Sequence, residues 1–145
     1  MALVFTLAAC SSESPPKPKL EIRPAPAGTQ DVAALVRAEL ASARGEGKQL
    51  IVYVGAPWCE PCTRFHDAAA AGLLDEAFGK VRLLELDLDR DVDALHRAGY
   101  QCELIPLFAL PNSDGRASGK QISGSVKGDG AVAEITPRLQ ALLVQ

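Results

Sequence analysis

Leu50-Ile51-Val52-Tyr53-Val54-Gly55-Ala56-Pro57-Trp58-Cys59-Glu60-Pro61-Cys62 is the stretch that decides how the chain reads. Its first five residues are apolar and largely β-branched, the composition of a buried strand. From Pro61 onward, Thr63, Arg64, Phe65, His66 and the alanines 68–71 are compatible with a helix. A strand and a helix joined this tightly put Cys59 at a helix N-terminus. Free backbone N–H groups and the helix dipole favour an anion there, so the position lowers a thiol pKa and holds a reactive thiolate. Cys62 follows three residues on, one turn down, where it can close a disulfide with Cys59. Pro61 suits an early helical position, because the N–H it lacks would have no partner there.

Outward from this stretch the chain alternates. Upstream, Thr29 is the expected N-cap of a helix, with Asp31 in its first turn. Val32, Leu35, Val36, Leu40 and Ala43 share one helical face, and Gly45 and Gly47 end the run. Downstream, Leu73, Leu74, Ala77 and Phe78 continue the helical pattern to Gly79. Residues 81–88 read as the next strand, and 89–98 as a short helix carrying Val92, Leu95 and His96. Ile105-Pro106 forms a corner before a strand at 107–110. Asn112-Ser113-Asp114-Gly115 is a turn, and 120–126 supplies the return strand. Val132, Ile135, Leu139, Leu142 and Leu143 make a closing helix that Pro137 is expected to kink or delay. No internal repeat is present.

Trp58-Cys59-Glu60-Pro61-Cys62 after a buried strand resembles the redox motif of the thioredoxin superfamily, and Ile105-Pro106 lies at the distance of that family's cis-proline. The resemblance implies an α/β thioredoxin fold over residues 29–145, with a mixed central sheet flanked by helices. It also implies that Pro106 opens the strand beside the disulfide and that Ile105 contacts substrate. Leu74-Asp75-Glu76-Ala77-Phe78 is similar to the C-terminal domain of DsbD-type disulfide-transfer proteins. The Glu60-Pro61 interior is similar to reducing maturation thioredoxins.

Two thiols in this arrangement exchange disulfides through a mixed-disulfide intermediate, one attacking and the other resolving. Cys59 is expected to attack, being nearer the helix end and more exposed, and Cys62 to resolve. Trp58, Glu60, Pro61, Ile105 and Pro106 are the candidate substrate contacts, with Trp58 as a lid over one side of the disulfide. The family places an aspartate six residues before the first cysteine to manage the resolving thiol's proton; Tyr53 occupies that position here. A phenol is a poor base near neutrality. Glu85, flanked by leucines in the neighbouring strand, is the candidate replacement for proton transfer. His66 and His96 read as solvent-facing helix residues. Cys102, four residues before Pro106, reads as a buried, inert thiol, with a regulatory or intermolecular thiol as the alternative.

At 145 residues with a formal charge of −3, the chain holds one domain and offers no electrostatic footprint for nucleic acid or anionic membrane. Met1 to Ala9 are largely apolar and run into Leu7-Ala8-Ala9-Cys10-Ser11, which resembles a bacterial lipobox over residues 1–10, short and without a basic n-region. The competing reading is a frayed hydrophobic tail. Residues 11–28 carry Pro15, Pro16, Pro18, Pro24 and Pro26 and read as a disordered, semi-rigid tether; Leu20-Glu21-Ile22-Arg23 alternates enough for a short edge strand. The expectation is an extracytoplasmic, membrane-anchored lipoprotein on the periplasmic side, lipidated at Cys10. It would reduce disulfides of cysteine-containing proteins and be recharged by a membrane or soluble thiol-redox partner. No organic cofactor is expected, and no metal, because a closed zinc site wants four ligands. The alternatives are a thioredoxin-fold binding or redox-sensing module without turnover, and a disulfide oxidase or isomerase.

Overall fold

Five strands form one mixed sheet in the order β1-β3-β2-β4-β5. They are β1 (Glu21–Pro24), β2 (Gln49–Gly55), β3 (Val81–Asp87), β4 (Leu107–Pro111) and β5 (Ala117–Ser123). Strands β1 and β2 run parallel to β3, while β4 runs antiparallel to β2 and β5 antiparallel to β4. The helices are α1 (Val32–Gly45), α2 (Glu60–Ala70), α3 (Asp75–Phe78), α4 (Leu88–Arg97) and α5 (Ala131–Leu143). This computed structural model describes residues 14–101 and 103–145. The lipobox reading at Cys10 and the reading of Cys102 therefore lie outside the described residues.

Strand β2 is the axis of the core. Ile51 and Tyr53 face a layer built with Phe65 of α2, Phe108 of β4, and Ile135 and Leu139 of α5. Leu50, Val52 and Val54 face the opposite layer, with Val36 of α1 and Leu95 of α4. A strand buried on both faces needs apolar residues without alternation, which is why the sequence there reads as a continuous run. Each such side chain contributes about 1.5–3 kcal/mol by burial. The same parity governs β3. Leu83 joins the α2/α5 layer and Leu84 and Leu86 the α1/α4 layer. Glu85 consequently reaches α2, and Arg82 reaches α1.

Several expectations need correcting. The domain starts before Thr29: β1, drawn from the proline-rich segment, pairs with β3 from Glu21↔Arg82 to Pro24↔Glu85. Leu20 and Ala25 on either side of it are buried. The N-cap of α1 is Asp31, whose carboxylate accepts the Ala34 N–H at 2.9 Å, while the Thr29 hydroxyl donates to the Pro26 carbonyl at 2.7 Å. Helix α2 stops at Ala70 instead of running to Gly79. Gly72 takes a left-handed φ of 74°, and the Gly72 and Leu73 N–H groups close back on Ala69 and Ala68 at 3.0 Å. That is a Schellman stop, which only glycine enters freely. Strand β5 lies three residues earlier than expected and ends at Ser123, where the Gly124 N–H turns away to the Pro106 carbonyl at 2.9 Å. Pro137 does not delay α5, which starts at Ala131 and carries the proline within it; it sits on the exposed face, where the Ala133 carbonyl it leaves unpaired is on an exposed residue as well.

Candidate functional site

Cys59 is the N-cap of α2 and is joined to Cys62 by a disulfide with Cα atoms 5.2 Å apart. The Cys59 sulfur accepts the Cys62 backbone N–H at 3.3 Å. Strand β2, central in the sheet, ends at Gly55 just before the pair, and Gly55 to Pro57 let the chain turn into the helix. Exposure does not separate the two cysteines as expected, since Cys59 is 4 % and Cys62 3 % exposed. Position separates them instead. Cys59 precedes the helix and lines an open groove, whereas Cys62 faces inward toward Gly55.

That groove, about 280 Å³, has Trp58, Cys59, Glu60 and Pro61 on one wall and Leu104 and Ile105 on the other. The Ile105–Pro106 bond is cis; Ile105 lines the groove, and Pro106, next in the chain, is buried. Trp58 is 63 % exposed and Leu104 64 %, a large apolar display beside a reactive pair. The Trp58 indole N–H donates to Asp89 at 2.7 Å, which fixes the ring at the N-terminal end of α4. Glu60 is also tied down: its carboxylate accepts the Gly128 N–H at 3.1 Å and the Arg64 guanidinium at 2.9 Å. Arg64 in turn reaches Asp129 at 2.7 Å. The Gly128 N–H first, and then Arg64, hold Glu60 below the usual carboxylate range. The charge beside Cys59 is thus compensated rather than left to oppose a thiolate.

Three parallel strands β1-β3-β2 continued by antiparallel β4 and β5, a dithiol motif capping the helix after β2, and a cis-proline opening β4 together define the architecture. This is a thioredoxin fold. A Trichomonas vaginalis thioredoxin superposes with a TM-score of 0.52 at 17 % identity, over 89 % of this chain and 98 % of its own. A poplar thioredoxin h gives 0.50 at 19 % identity, over 88 % and 98 %. A chain from work on thiol resolution in yeast mitochondrial 1-Cys peroxiredoxin via glutathione/thioredoxin systems gives 0.52 at 19 %, over 86 % and 95 %. At these identities the likeness speaks for the fold. No family model and no curated protein sequence matches the chain.

Behind the disulfide lies Tyr53, six residues before Cys59. Tyr53 is fully buried and packs against Phe108 and Phe65 at ring-centroid distances of 5.1 and 6.2 Å. Its register partner in β3 is Glu85. Burial, and secondarily the Glu85 charge, push the phenol pKa up. Glu85 is not simply an exposed strand residue, nor is His66 simply a solvent-facing one. They meet at 2.7 Å between Nε2 and Oε1, with the imidazole 5.7 Å from the Tyr53 ring. The hydrogen bond to Glu85 raises the His66 pKa against the opposing effect of burial.

Sequence reasoning singled out Trp58, Glu60, Pro61 and Ile105, and the structure brings all four to one groove. It missed Asp89 and Gly128, which hold Trp58 and Glu60. Neither carries a local signal, because each acts across 31 and 68 residues of chain respectively. Arg64 was within reach as the i,i+4 partner of Glu60. His96 lies elsewhere, beside Gln101 and Gln121.

Proposed function

We propose that the protein is a thiol-disulfide oxidoreductase that reduces disulfides in cysteine-containing proteins through the Cys59–Cys62 dithiol. The observation that carries this is the disulfide itself, placed at the N-terminus of α2 and bordered by an apolar groove with Trp58 and Ile105 on its walls. In the reduced protein the Cys59 thiolate attacks one sulfur of a substrate disulfide, and the other substrate sulfur leaves as a thiolate that takes up a proton. Cys62 then gives up its proton and attacks Cys59. The Cys59–substrate bond breaks, the second substrate thiol departs, and the Cys59–Cys62 disulfide remains. Two electrons and two protons have passed to the substrate, and a membrane or soluble thiol-redox partner returns them. Trp58, Glu60, Pro61, Ile105 and Pro106 shape the surface that receives the substrate chain, and Glu85 is the proposed group for moving the Cys62 proton.

Catalysed reduction of insulin by dithiothreitol tests this reading. The wild type should accelerate it, and a rate no faster than dithiothreitol alone would leave only a binding or redox-sensing module. The resemblance to DsbD-type and maturation thioredoxins favours the reducing direction. An equilibrium potential near about −270 mV fits a reductase, and one near about −120 mV an oxidase.

The lipobox-like Leu7-Ala8-Ala9-Cys10 followed by a proline-rich spacer supports an extracytoplasmic protein anchored by a lipid at Cys10. In a bacterium that processes lipoproteins, the wild type should fractionate with membranes and Cys10→Ala should release it. Soluble wild type with an unmodified Cys10 sinks the anchor.

A further inference from the structure

Among the described residues, one buried side-chain oxygen or nitrogen has no hydrogen-bond partner: the hydroxyl of Tyr53. Buried polar groups are almost always paired, and an orphan is costly. Phenylalanine would fill the same space between Phe65, Phe108 and His66 without that cost, so packing does not account for the oxygen.

Its location does. Gly55 lies two residues further along β2, on the same face. A side chain there would begin 2.9 Å from the Tyr53 hydroxyl and 3.4 Å from the Cys62 sulfur. The missing side chain leaves one shared space, and both atoms border it. While Cys62 is bonded to Cys59 its sulfur is a feeble acceptor. Once the disulfide opens, the same sulfur becomes a thiol or thiolate, and a thiolate accepts a hydrogen bond strongly.

We propose that Tyr53 is the positioning residue for the resolving thiol: its hydroxyl donates to the Cys62 sulfur when the disulfide is open, and so favours the reduced pair. The inference rests on the reading of Cys59–Cys62 as a redox couple. It supplies what the family's buried aspartate does not supply here, through a different chemistry, since a phenol serves as a donor and not as a base. Burial and the neighbouring Glu85 charge both keep Tyr53 protonated, which preserves the donor. In the resolving step Cys62 first gives up its proton, for which Glu85 is the acceptor proposed above. The Cys62 lone pair then forms the bond to Cys59, the Cys59–substrate bond breaks, and the electron pair leaves on the substrate sulfur, which is protonated. The Tyr53 proton stays on oxygen throughout. The orphaned hydroxyl is tolerated in the oxidised form because the reduced form recovers the bond, the logic by which stabilising a reduced dithiol makes its disulfide a stronger oxidant.

Tyr53→Phe removes the oxygen and keeps the ring. Equilibration of the Cys59–Cys62 pair with glutathione should show the reduced form disfavoured about tenfold relative to wild type, the loss of a hydrogen bond to a charged acceptor. For this two-electron couple that is a potential about 30 mV more negative. Thermal melts of each redox form are the companion measurement: the oxidised variant should melt no lower than wild type, and the reduced variant lower. A redox equilibrium within twofold of wild type, or equal destabilisation of both forms, overturns the proposal. The redox equilibrium is measurable whether or not insulin is turned over. An inactive protein with the Tyr53 effect intact therefore refutes only the functional reading, and an active one without it refutes only this inference.

Discussion

Replacing Arg82 with methionine would test how the N-terminal strand is held to the sheet that carries the site. The Arg82 side chain is 0 % exposed, yet it bonds Glu21 at 2.9 Å, Glu46 at 2.6 Å and Ser42 at 3.0 Å, tying β1, α1 and β3 together. Breaking a buried ion pair by removing one partner costs about 3–5 kcal/mol. The remaining carboxylates soften this, because Glu46 rehydrates readily while Lys48 and Arg23 still hold Glu21, each at 2.7 Å. The lower end, about 3 kcal/mol, is therefore expected for Arg82→Met, a large share of a domain's usual 5–15 kcal/mol. For a domain of this size it corresponds to a Tm about 10 °C lower. The loss should also depend on pH with a definite sign. Burial pushes the Glu21 carboxyl up, but hydrogen bonds from Lys48, Arg82 and Arg23 outweigh it and hold the group at about 2, below its ordinary 4.5. A lowered folded-state pKa gives stability that is present above pH 4.5 and lost as the pH falls toward 2. With the side chain 26 % exposed, solvent screening reduces that contribution to about 2 kcal/mol. Urea unfolding of the oxidised protein at pH 7 and at steps below 4.5 measures both effects. The gap between wild type and Arg82→Met should narrow with acid, while the Cys59–Cys62 redox equilibrium should not move. A destabilisation under about 1 kcal/mol at pH 7, or a gap indifferent to pH, would refute the reasoning.

Cys62→Ser should accumulate mixed disulfides with protein substrates on non-reducing gels of alkylated extracts, because attack proceeds and resolution does not. Cys59→Ser should accumulate few, and equal trapping by both would reverse the assignment of the two thiols. The His66–Glu85 contact should make stability depend on pH through the imidazole. Glu85 raises the His66 pKa, so the pair's stabilisation is complete below the ordinary 6.5 and disappears as the pH rises through the higher folded value. In Glu85→Gln the imidazole titration, followed by NMR, should move back toward 6.5, and an unmoved curve would show that another group sets it.

The sequence alone determined the elements whose cause is local. An unbroken apolar run announces a strand buried on both faces, and β2 is that strand. A cysteine before Glu-Pro announces a helix cap, and Cys59 caps α2. Even the corner at Ile105-Pro106 was legible, because a resemblance attaches to a short motif. Other features depend on which residues meet across the fold. The alternation of Glu21, Ile22 and Arg23 was visible, but nothing local says that β3 would take up this segment and bury Arg82 beneath it. Glu85 reads as a charge among leucines until parity puts it on the face of α2, paired in register with Tyr53 and opposite His66. Trp58 with Asp89 and Glu60 with Gly128 are contacts whose energy is realised only after the chain has closed. Local sequence encodes backbone preference and periodicity, which act within a turn or a strand. The partners of a buried charge or an unpaired hydroxyl are set by strand register and helix placement, and those belong to the assembled sheet.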